Sequence, residues 1–264
     1  MNDLMARLTE MSGFGADLIW GTALVFLRVG AAMALLPAFG EQTVPQRVRL
    51  VVTLAFTAVV APAVLPGMPP AGAGIALPVL IVSVLAEVMA GLLLGIGLRF
   101  FVITLQMTGA IIGQATSLSQ LFGGAGPEPQ PAIGNLLVMA GLALAVMAGL
   151  HVRFAALLIL SYDLLPAGKI PGAADVARWG LGQVGHAFSL AFSLAAPFTI
   201  AALLYNMALG VINRAMPSLM VSFVGAPALT LGGLVLLAVV APLALGLWVA
   251  ALQAYLAQPF RISP

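Results

Sequence analysis

The sequence predicts an all-α polytopic membrane protein with bent or broken helical hairpins, and three observations support this. Of 264 residues, 62% are apolar and 7% are charged, whereas about 25% of a soluble domain is charged. The mean hydropathy is +1.15, too high for the polar surface that a water-soluble globule needs. The apolar residues also form runs long enough to cross a bilayer as helices. This composition excludes a soluble enzyme, a disordered chain and a nucleic-acid-binding domain.

Charge and cysteine content exclude several kinds of site. The formal net charge is only +2, and the basic residues are not clustered as they are in nucleic-acid-binding proteins. Cysteine is absent, which excludes disulfides, thiolate metal sites and a cysteine nucleophile. His151 and His186 lie 35 positions apart, without the spacing of metal ligands. We therefore expect no metal and no other cofactor.

Four apolar runs occupy the first half of the chain. Residues 1–17 carry three acidic residues and one arginine, the reverse of a basic secretory leader, so they are expected to be an extramembrane segment. Membrane helices are predicted over 18–39, 50–65 and 75–98. The run at 100–116 is either a continuation of the third helix or the second arm of a bent hairpin.

The second half contains runs that do not suit straight spans. Residues 132–165 would form a helix about 50 Å long, beyond the ~30 Å hydrocarbon core. Residues 184–212 contain Pro197, and residues 223–257 contain two prolines and a glycine pair. Proline removes a helical hydrogen bond and kinks the helix. Bent hairpins, or helices that extend out of the bilayer, are therefore expected.

The basic residues do not give a consistent membrane orientation. Arg47 and Arg49 lie in one connection, and Lys169 and Arg178 lie in another. With about six alternating spans these connections fall on opposite sides of the membrane, whereas the positive-inside rule places basic loops on the cytoplasmic side. Either the number of spans differs, or the chain is not inserted as simple alternating spans.

Polar residues interrupt the apolar helices at a few positions. A charge at mid-bilayer costs at least ~2.5 kcal/mol on insertion scales, so Arg28, Glu87 and Arg99 are expected to face protein or water. They form either a proton or ion pathway or a structural ion pair, such as Glu87 with Arg28. We favour the ion pair because one carboxylate is too few for a relay. His151 is expected to be a buried, partnered histidine at a helix end.

Two glycine pairs have the spacing that allows membrane helices to approach closely. Gly91 and Gly95 lie in the third run, and Gly109 and Gly113 lie in the run after it. A spacing of four places both glycines on one helix face, where no side chain separates the backbones. The two pairs predict dense helix packing, and partner subunits are one candidate for what packs there.

The connection at 117–131 has the least membrane-like sequence within the apolar body. Its glycines and prolines predict no helix beyond Phe122. It is interpreted either as an extramembrane connector or as a loop that plugs a pore, because its apolar side chains are unusual beside water. The candidate plug residues are Leu118, Gln120, Leu121, Phe122, Gly123 and Gly124.

Ordered motifs over roughly residues 18–227 resemble a known family. The first are Leu27-Arg28-Val29-Gly30, Leu36-Pro37-Ala38-Phe39-Gly40 and Val44-Pro45-Gln46-Arg47-Val48-Arg49-Leu50. The next are Glu87, Gly91, Gly95, Gly97, Gln106, Gly109, Ile111, Ile112, Gly113, Gly149-Leu150-His151 and Leu164-Leu165-Pro166-Ala167-Gly168. The last are Leu209-Gly210-Val211-Ile212-Asn213-Arg214-Ala215, Met216-Pro217 and Phe223-Val224-Gly225-Ala226-Pro227. In order and spacing they resemble the FliR family, membrane proteins of the flagellar type III export gate.

The resemblance implies a function, partners and a location. FliR-like proteins form, with FliP-like and FliQ-like subunits, the membrane channel that exports unfolded flagellar proteins, and they work with FlhB-like and FlhA-like proteins. The chain is expected to be one FliR-like domain over 1–264, without enzymatic activity, in the bacterial inner (cytoplasmic) membrane at the flagellar basal body. The resemblance also implies that loop 117–131 projects into the central channel and helps to close it.

Other functions remain open from the sequence. An injectisome export gate shares these features with the flagellar one. A small-solute transporter would show internal repeats and a polar site at the midplane, and neither is evident. An intramembrane hydrolase would need a nucleophile with its base, for which the nearest candidate is Ser161-Tyr162-Asp163 with His151.

Overall fold

The computed structural model describes residues 2–41, 43–68, 76–115, 132–215 and 221–260. These ranges are almost entirely helical and contain no strand, which confirms the all-α prediction. The helices are α1 (Asn2–Met33), α2 (Gln46–Val64), α3 (Leu77–Ala115), α4 (Ala132–Met147), α5 (Leu150–Leu164), α6 (Ala173–Ala215) and α7 (Val221–Ala257), and a 3-10 turn occupies Leu65–Gly67.

Within the described ranges, five helical segments are long and apolar enough to cross a membrane, and the bent pair of α4 and α5 gives a sixth if it is counted as one span. The chain bends by 72° between these two helices. The bend follows from Gly149, which has a φ of 81°, a conformation that only glycine adopts readily. The prediction of a polytopic membrane protein with a bent helical segment is confirmed. The five single spans are Gly15–Met33, Gln46–Gly67, Leu77–Ala115, Ala173–Ile212 and Ala228–Ala257.

Helices α1, α3 and α6 differ from the runs expected from hydropathy, and α1 spans Asn2–Met33 instead of 18–39. The described parts of the runs predicted at 75–98 and 100–116 lie in one continuous helix, α3 (Leu77–Ala115), of 39 residues. The continuation is therefore confirmed, and the alternative of a bent hairpin was wrong. Arg99 interrupts the apolar run without ending the helix, because arginine is a good helix former and its side chain pairs with Glu41.

Helix α6 begins at Ala173 instead of 184 and continues through Pro197. The early start has an electrostatic reason: Asp175 lies in the first turn, where a negative charge complements the helix dipole. It also pairs with Arg178, three positions on, at 2.6 Å. Hydropathy misses such a polar first turn because its charged residues lower the mean of the window, so the run is placed later in the chain.

The chain divides into two compact units. The first comprises Met1–Arg99, Gly149–Leu181 and Tyr255–Pro264, and the second comprises Phe100–Ala148 and Gly182–Ala254. In the first unit, α1 packs on α2, and α2 packs on α5. Phe56 of α2 meets Phe154 of α5 edge to face, with ring centroids 5.4 Å apart. Such a pair stabilises by about 0.5–1.5 kcal/mol beyond the area it buries.

In the second unit, buried polar groups of α3 and α7 find partners both across helices and within their own helix. Trp248 of α7 is fully buried, and its indole N–H donates to the carbonyl of Phe101 at 2.9 Å. Thr104 of α3 donates its hydroxyl to the carbonyl of Phe100 within its own helix at 2.9 Å. These bonds remove the cost of burying a polar donor without a partner.

Candidate functional site

A buried ion pair joins α1 to α3 in the first unit. The side chain of Arg28 is 1% exposed and that of Glu87 is 0% exposed. Arg28 Nε donates to Glu87 Oε2 at 2.7 Å, and Arg28 Nη2 donates to Glu87 Oε1 at 3.1 Å. This two-pronged contact between guanidinium and carboxylate is among the strongest hydrogen-bond arrangements in proteins.

Helix α5 and the turn after it supply the other partners of Arg28. Nη1 donates to Ser161 Oγ at 3.0 Å, and Nη2 donates to the carbonyl of Leu165 at 2.9 Å. The ring of Tyr162 lies over the guanidinium, whose central carbon is 3.6 Å from the ring centroid. This cation–π contact adds to the pairing of a desolvated arginine.

The carboxylate of Glu87 accepts two further hydrogen bonds. The Tyr162 hydroxyl donates to Oε2 at 3.2 Å, and the Gly168 amide donates to Oε1 at 3.1 Å. Gly168 has a φ of 71°, so glycine suits this turn and aims the amide at the carboxylate. Burying an ion pair costs free energy unless its remaining groups are also hydrogen-bonded, and here they are.

The arrangement favours a structural role over a proton pathway. Within the described ranges, the partners of Glu87 are a guanidinium, a phenol and an amide. None of these groups readily passes a proton on near neutral pH. The pair instead connects three helices that are far apart in the sequence, together with the turn that follows α5. We call Arg28, Glu87, Ser161, Tyr162, Leu165 and Gly168 the ionic clasp.

His151 is not buried, contrary to the expectation from sequence. It is exposed in the first turn of α5, and it has no hydrogen-bond partner in the part of the chain that the structure describes. The buried residues of α5 recur with helical spacing from Leu150 through Phe154 to Ser161, and His151 lies off that face.

The hydrolase interpretation finds no support in α5. Ser161 donates its hydroxyl to the carbonyl of Leu158 at 2.6 Å and accepts from Arg28. His151 lies ten positions away on the same helix, a rise of about 15 Å, so the two do not meet. No group of three or more potential metal ligands occurs in the described ranges.

Three of the four glycines of the two pairs pack against backbone of this chain. A Cβ on Gly91 would meet the carbonyl oxygen of Arg28, and one on Gly95 would lie 2.8 Å from the carbonyl oxygen of Ala32. In the second unit, a Cβ on Gly109 would meet the backbone of Gly134. Partner subunits are therefore not what packs against these three glycines. Gly113 is also buried on α3.

A second ion pair fixes the connection between α1 and α2. Arg99 Nη1 lies 2.6 Å from Glu41 Oε1, with side chains 31% and 23% exposed. Arg49 donates to the carbonyls of Gly40 and Glu41 at 3.2 and 3.0 Å. A Cβ on Gly40 would lie 2.7 Å from the carbonyl oxygen of Ala34, so the tight turn requires glycine.

The candidate plug lies outside the described residues. This applies to the whole connection 117–131 and to each residue proposed for the seal, Leu118, Gln120, Leu121, Phe122, Gly123 and Gly124.

Sequence reasoning found Arg28 and Glu87 but missed most of their partners. Ser161 and Tyr162 stood out only as part of a hydrolase candidate. Leu165 contributes a carbonyl, which carries no sequence signal. Gly168 follows a Pro-Ala pair. This pattern predicts a turn, and it was the one sign in the sequence that the Gly168 amide could bind a group outside a helix.

The motifs that build the clasp and the connection lie inside a family match. Residues 19–255 match the family model described as bacterial export proteins, family 1. The flagellar biosynthetic protein FliR of Caulobacter vibrioides is 35% identical over 222 residues, covering 83% of this chain and 88% of that protein. The chain belongs to the FliR family.

Other FliR proteins are also similar. That of Escherichia coli is 28% identical over 220 residues, 82% of each chain, and that of Pectobacterium carotovorum is 26% identical over 224 residues, 83% of each chain. The resemblance read from the motifs is confirmed. With its apolar helices, this FliR-family chain is a multi-pass membrane protein of the flagellar export apparatus.

Proposed function

We propose that this chain is a non-enzymatic subunit of the export gate in the bacterial inner membrane. It forms, with FliP-like and FliQ-like subunits, the channel through which unfolded flagellar proteins leave, and it works with FlhB-like and FlhA-like proteins. The named relatives are all flagellar, which supports the flagellar system over an injectisome. The loop 117–131 is proposed to help close the channel.

The length of the exposed apolar helices carries this proposal. The apolar segment of α7, Ala228–Ala257, has 30 residues and only 11% of its most apolar window is buried. As a helix it is about 45 Å long, whereas the hydrocarbon core is ~30 Å thick. Its side chains remain exposed from Leu231 through Val239 to Leu247. Lipid cannot cover all of an upright helix of this length, and neighbouring subunits would cover the rest.

The clasp supports the same proposal indirectly. A transporter for a polar solute needs polar groups that are open to a midplane cavity. Here the buried polar side chains Arg28 and Glu87 bind each other and groups on α5. These two side chains therefore stabilise the fold, and the proposed path of transport is a channel formed between subunits.

An export assay tests the function. Deletion of the gene should abolish secretion of flagellar proteins into the medium, and the intact chain supplied on a plasmid should restore it. Secretion that continues at the wild-type level in the deletion strain would contradict the proposal.

A further inference from the structure

A cavity of about 210 Å³ opens in the first unit, between the end of α2 and the end of α5. Ala63 of α2 lines one side, and Tyr162, Asp163 and Pro166 line the other. The volume is several times the ~30 Å³ share of one water molecule in the liquid. The cavity therefore has room for a side chain from another molecule.

The end of α5 makes this cavity electronegative. Pro166 has no N–H, so the carbonyl of Tyr162 lacks its usual helical donor four residues on. In the described part of the chain, the carbonyls of the cavity-lining residues Tyr162 and Asp163 accept no backbone hydrogen bond. Helix α2 also ends at this cavity, and each helix C-terminus carries about half a negative charge.

Asp163 adds a full charge at the exposed rim of the cavity, and it has no ion-pair partner in the described ranges. The ion pairs there join Arg28 to Glu87, Arg99 to Glu41 and Arg178 to Asp175. Asp163 is in none of them. Arg28 lies beneath the ring of Tyr162 and already binds Glu87, so it does not compensate the charge of the cavity.

The chemistry points to a basic side chain as the occupant. A divalent cation needs several oxygen ligands at short range, whereas the described ranges contain no group of three or more potential metal-ligating residues. Lysine and arginine combine an apolar stem with a cationic head. Such a residue would place its stem in the cavity and its head against Asp163 and the free carbonyls.

We propose that this cavity receives a lysine or arginine side chain of a neighbouring subunit of the export apparatus. The proposal rests on the proposed function, because it requires a subunit packed against this face. Within this chain Lys169 is the nearest rival in sequence, but it is absent from the cavity wall and from the ion pairs of the described ranges, which favours a partner residue.

A photo-reactive amino acid at Ile159, which lines the cavity, identifies the occupant in assembled complexes in native membranes. The expected product joins Ile159 to a peptide of another subunit that contains lysine or arginine. Adducts formed only with lipid, or only with this chain, would overturn the proposal.

Substitutions then test the charge. Asp163→Asn should lower the amount of the cross-linked subunit that co-purifies by about tenfold or more, as expected when a charge pair that becomes buried in the complex loses one member. Ala63→Leu, which fills the cavity without altering charge, should have a similar effect. Asp163→Arg combined with an acidic substitution of the partner's basic residue should restore association, because the two charges are then exchanged.

Two controls make the outcome specific. Asp175→Asn removes an exposed carboxylate of the same unit outside the cavity and should leave co-purification unchanged. Lys169→Gln should also change nothing, and the same loss in Lys169→Gln as in Asp163→Asn would overturn the proposal. If the wild-type chain forms a complex and neither Asp163→Asn nor Ala63→Leu weakens it, this inference alone is wrong. If the wild-type chain binds no partner at all, the proposed function is wrong.

Discussion

Arg28 and Glu87, 59 positions apart in the sequence, meet as a buried two-pronged ion pair at 2.7 and 3.1 Å. The pair brings α1 against α3 where Gly91 allows the backbones to touch. It also reaches α5 through Ser161. One charged contact thus fixes three helices whose apolar surfaces alone would allow many alternative packings.

Removal of the Glu87 carboxylate should destabilise the protein severely. Glu87→Leu leaves a buried guanidinium unpaired, which costs about 3–5 kcal/mol. The stability of Glu87→Gln should fall between those of the wild type and Glu87→Leu. The glutamine NH2 group donates hydrogen bonds, and it replaces a carboxylate oxygen that accepts them from neighbours that all donate. Thermal unfolding of the purified complex measures both. Glu41→Gln is the control, because its partly exposed pair contributes only about 0–1 kcal/mol. An assembled Glu87→Gln complex that exports nothing would indicate a proton relay instead.

Removal of both charges should harm the protein less than removal of either one. In the double variant Arg28→Met with Glu87→Leu, no buried charge is left without a partner, so the unfolding free energy should recover most of the loss seen in Glu87→Leu. Export should recover with it if the pair is structural. A double variant that is stable and fully assembled yet inactive would show that the charges take part in transport.

The glycine contact with α1 should not tolerate a side chain. Gly91→Ala places a Cβ against the carbonyl of Arg28, and forcing the helices apart costs about 1–3 kcal/mol. The matched control is Gly246→Ala in α7, where a Cβ would meet nothing within 4 Å and helix propensity should improve. Equal melting temperatures for the two variants would contradict the close packing of α1 on α3.

The bend between α4 and α5 should depend on the backbone freedom of Gly149. Its φ of 81° costs about 1–2 kcal/mol for an L-residue with a side chain. Space plays no part, because a Cβ there would meet nothing within 4 Å. Gly149→Ala should lower the unfolding temperature, and Gly182→Ala, within α6 and equally open, should not. No loss in Gly149→Ala would argue against a left-handed turn.

The connection 117–131 is proposed to help seal the channel. Deletion of residues 120–124 should leave the complex assembled but permeable to ions, because a narrow apolar constriction closes a pore by dewetting. Conductance across bilayers that contain the complex measures this. If the deletion variant assembles and conducts no more than wild type, the loop is a connector and the seal lies elsewhere.

The helices were largely predictable from sequence because apolar runs of this length have few alternatives to a membrane helix. Their ends were not, since the first turn of α6 depends on Asp175 and Arg178, which hydropathy counts as loop. The pairing of Arg28 with Glu87 followed from the cost of burying either charge alone. Its other partners were out of reach, because they depend on a carbonyl at Leu165 and an amide at Gly168, which every residue type can provide.

His151 and Gly134 show the same limit for side-chain burial and close packing. A lone histidine in an apolar run suggested burial, but the phase of α5 turns it outward. Gly109 was recognised from its spacing to Gly113, whereas Gly134, which it contacts, has no such spacing. Sequence spacing identifies the helix face that lacks large side chains, and only the fold identifies the residues that pack against that face.

Co-purification tests the central claim most directly. The tagged chain is expressed with and without FliP-like and FliQ-like subunits, extracted in mild detergent, and its molecular mass is measured by light scattering. We predict a stable complex that contains all three proteins, and an unstable or aggregated chain in their absence, because α7 exposes more apolar length than a bilayer covers. A monodisperse, stable monomer that does not bind the other subunits would contradict the account.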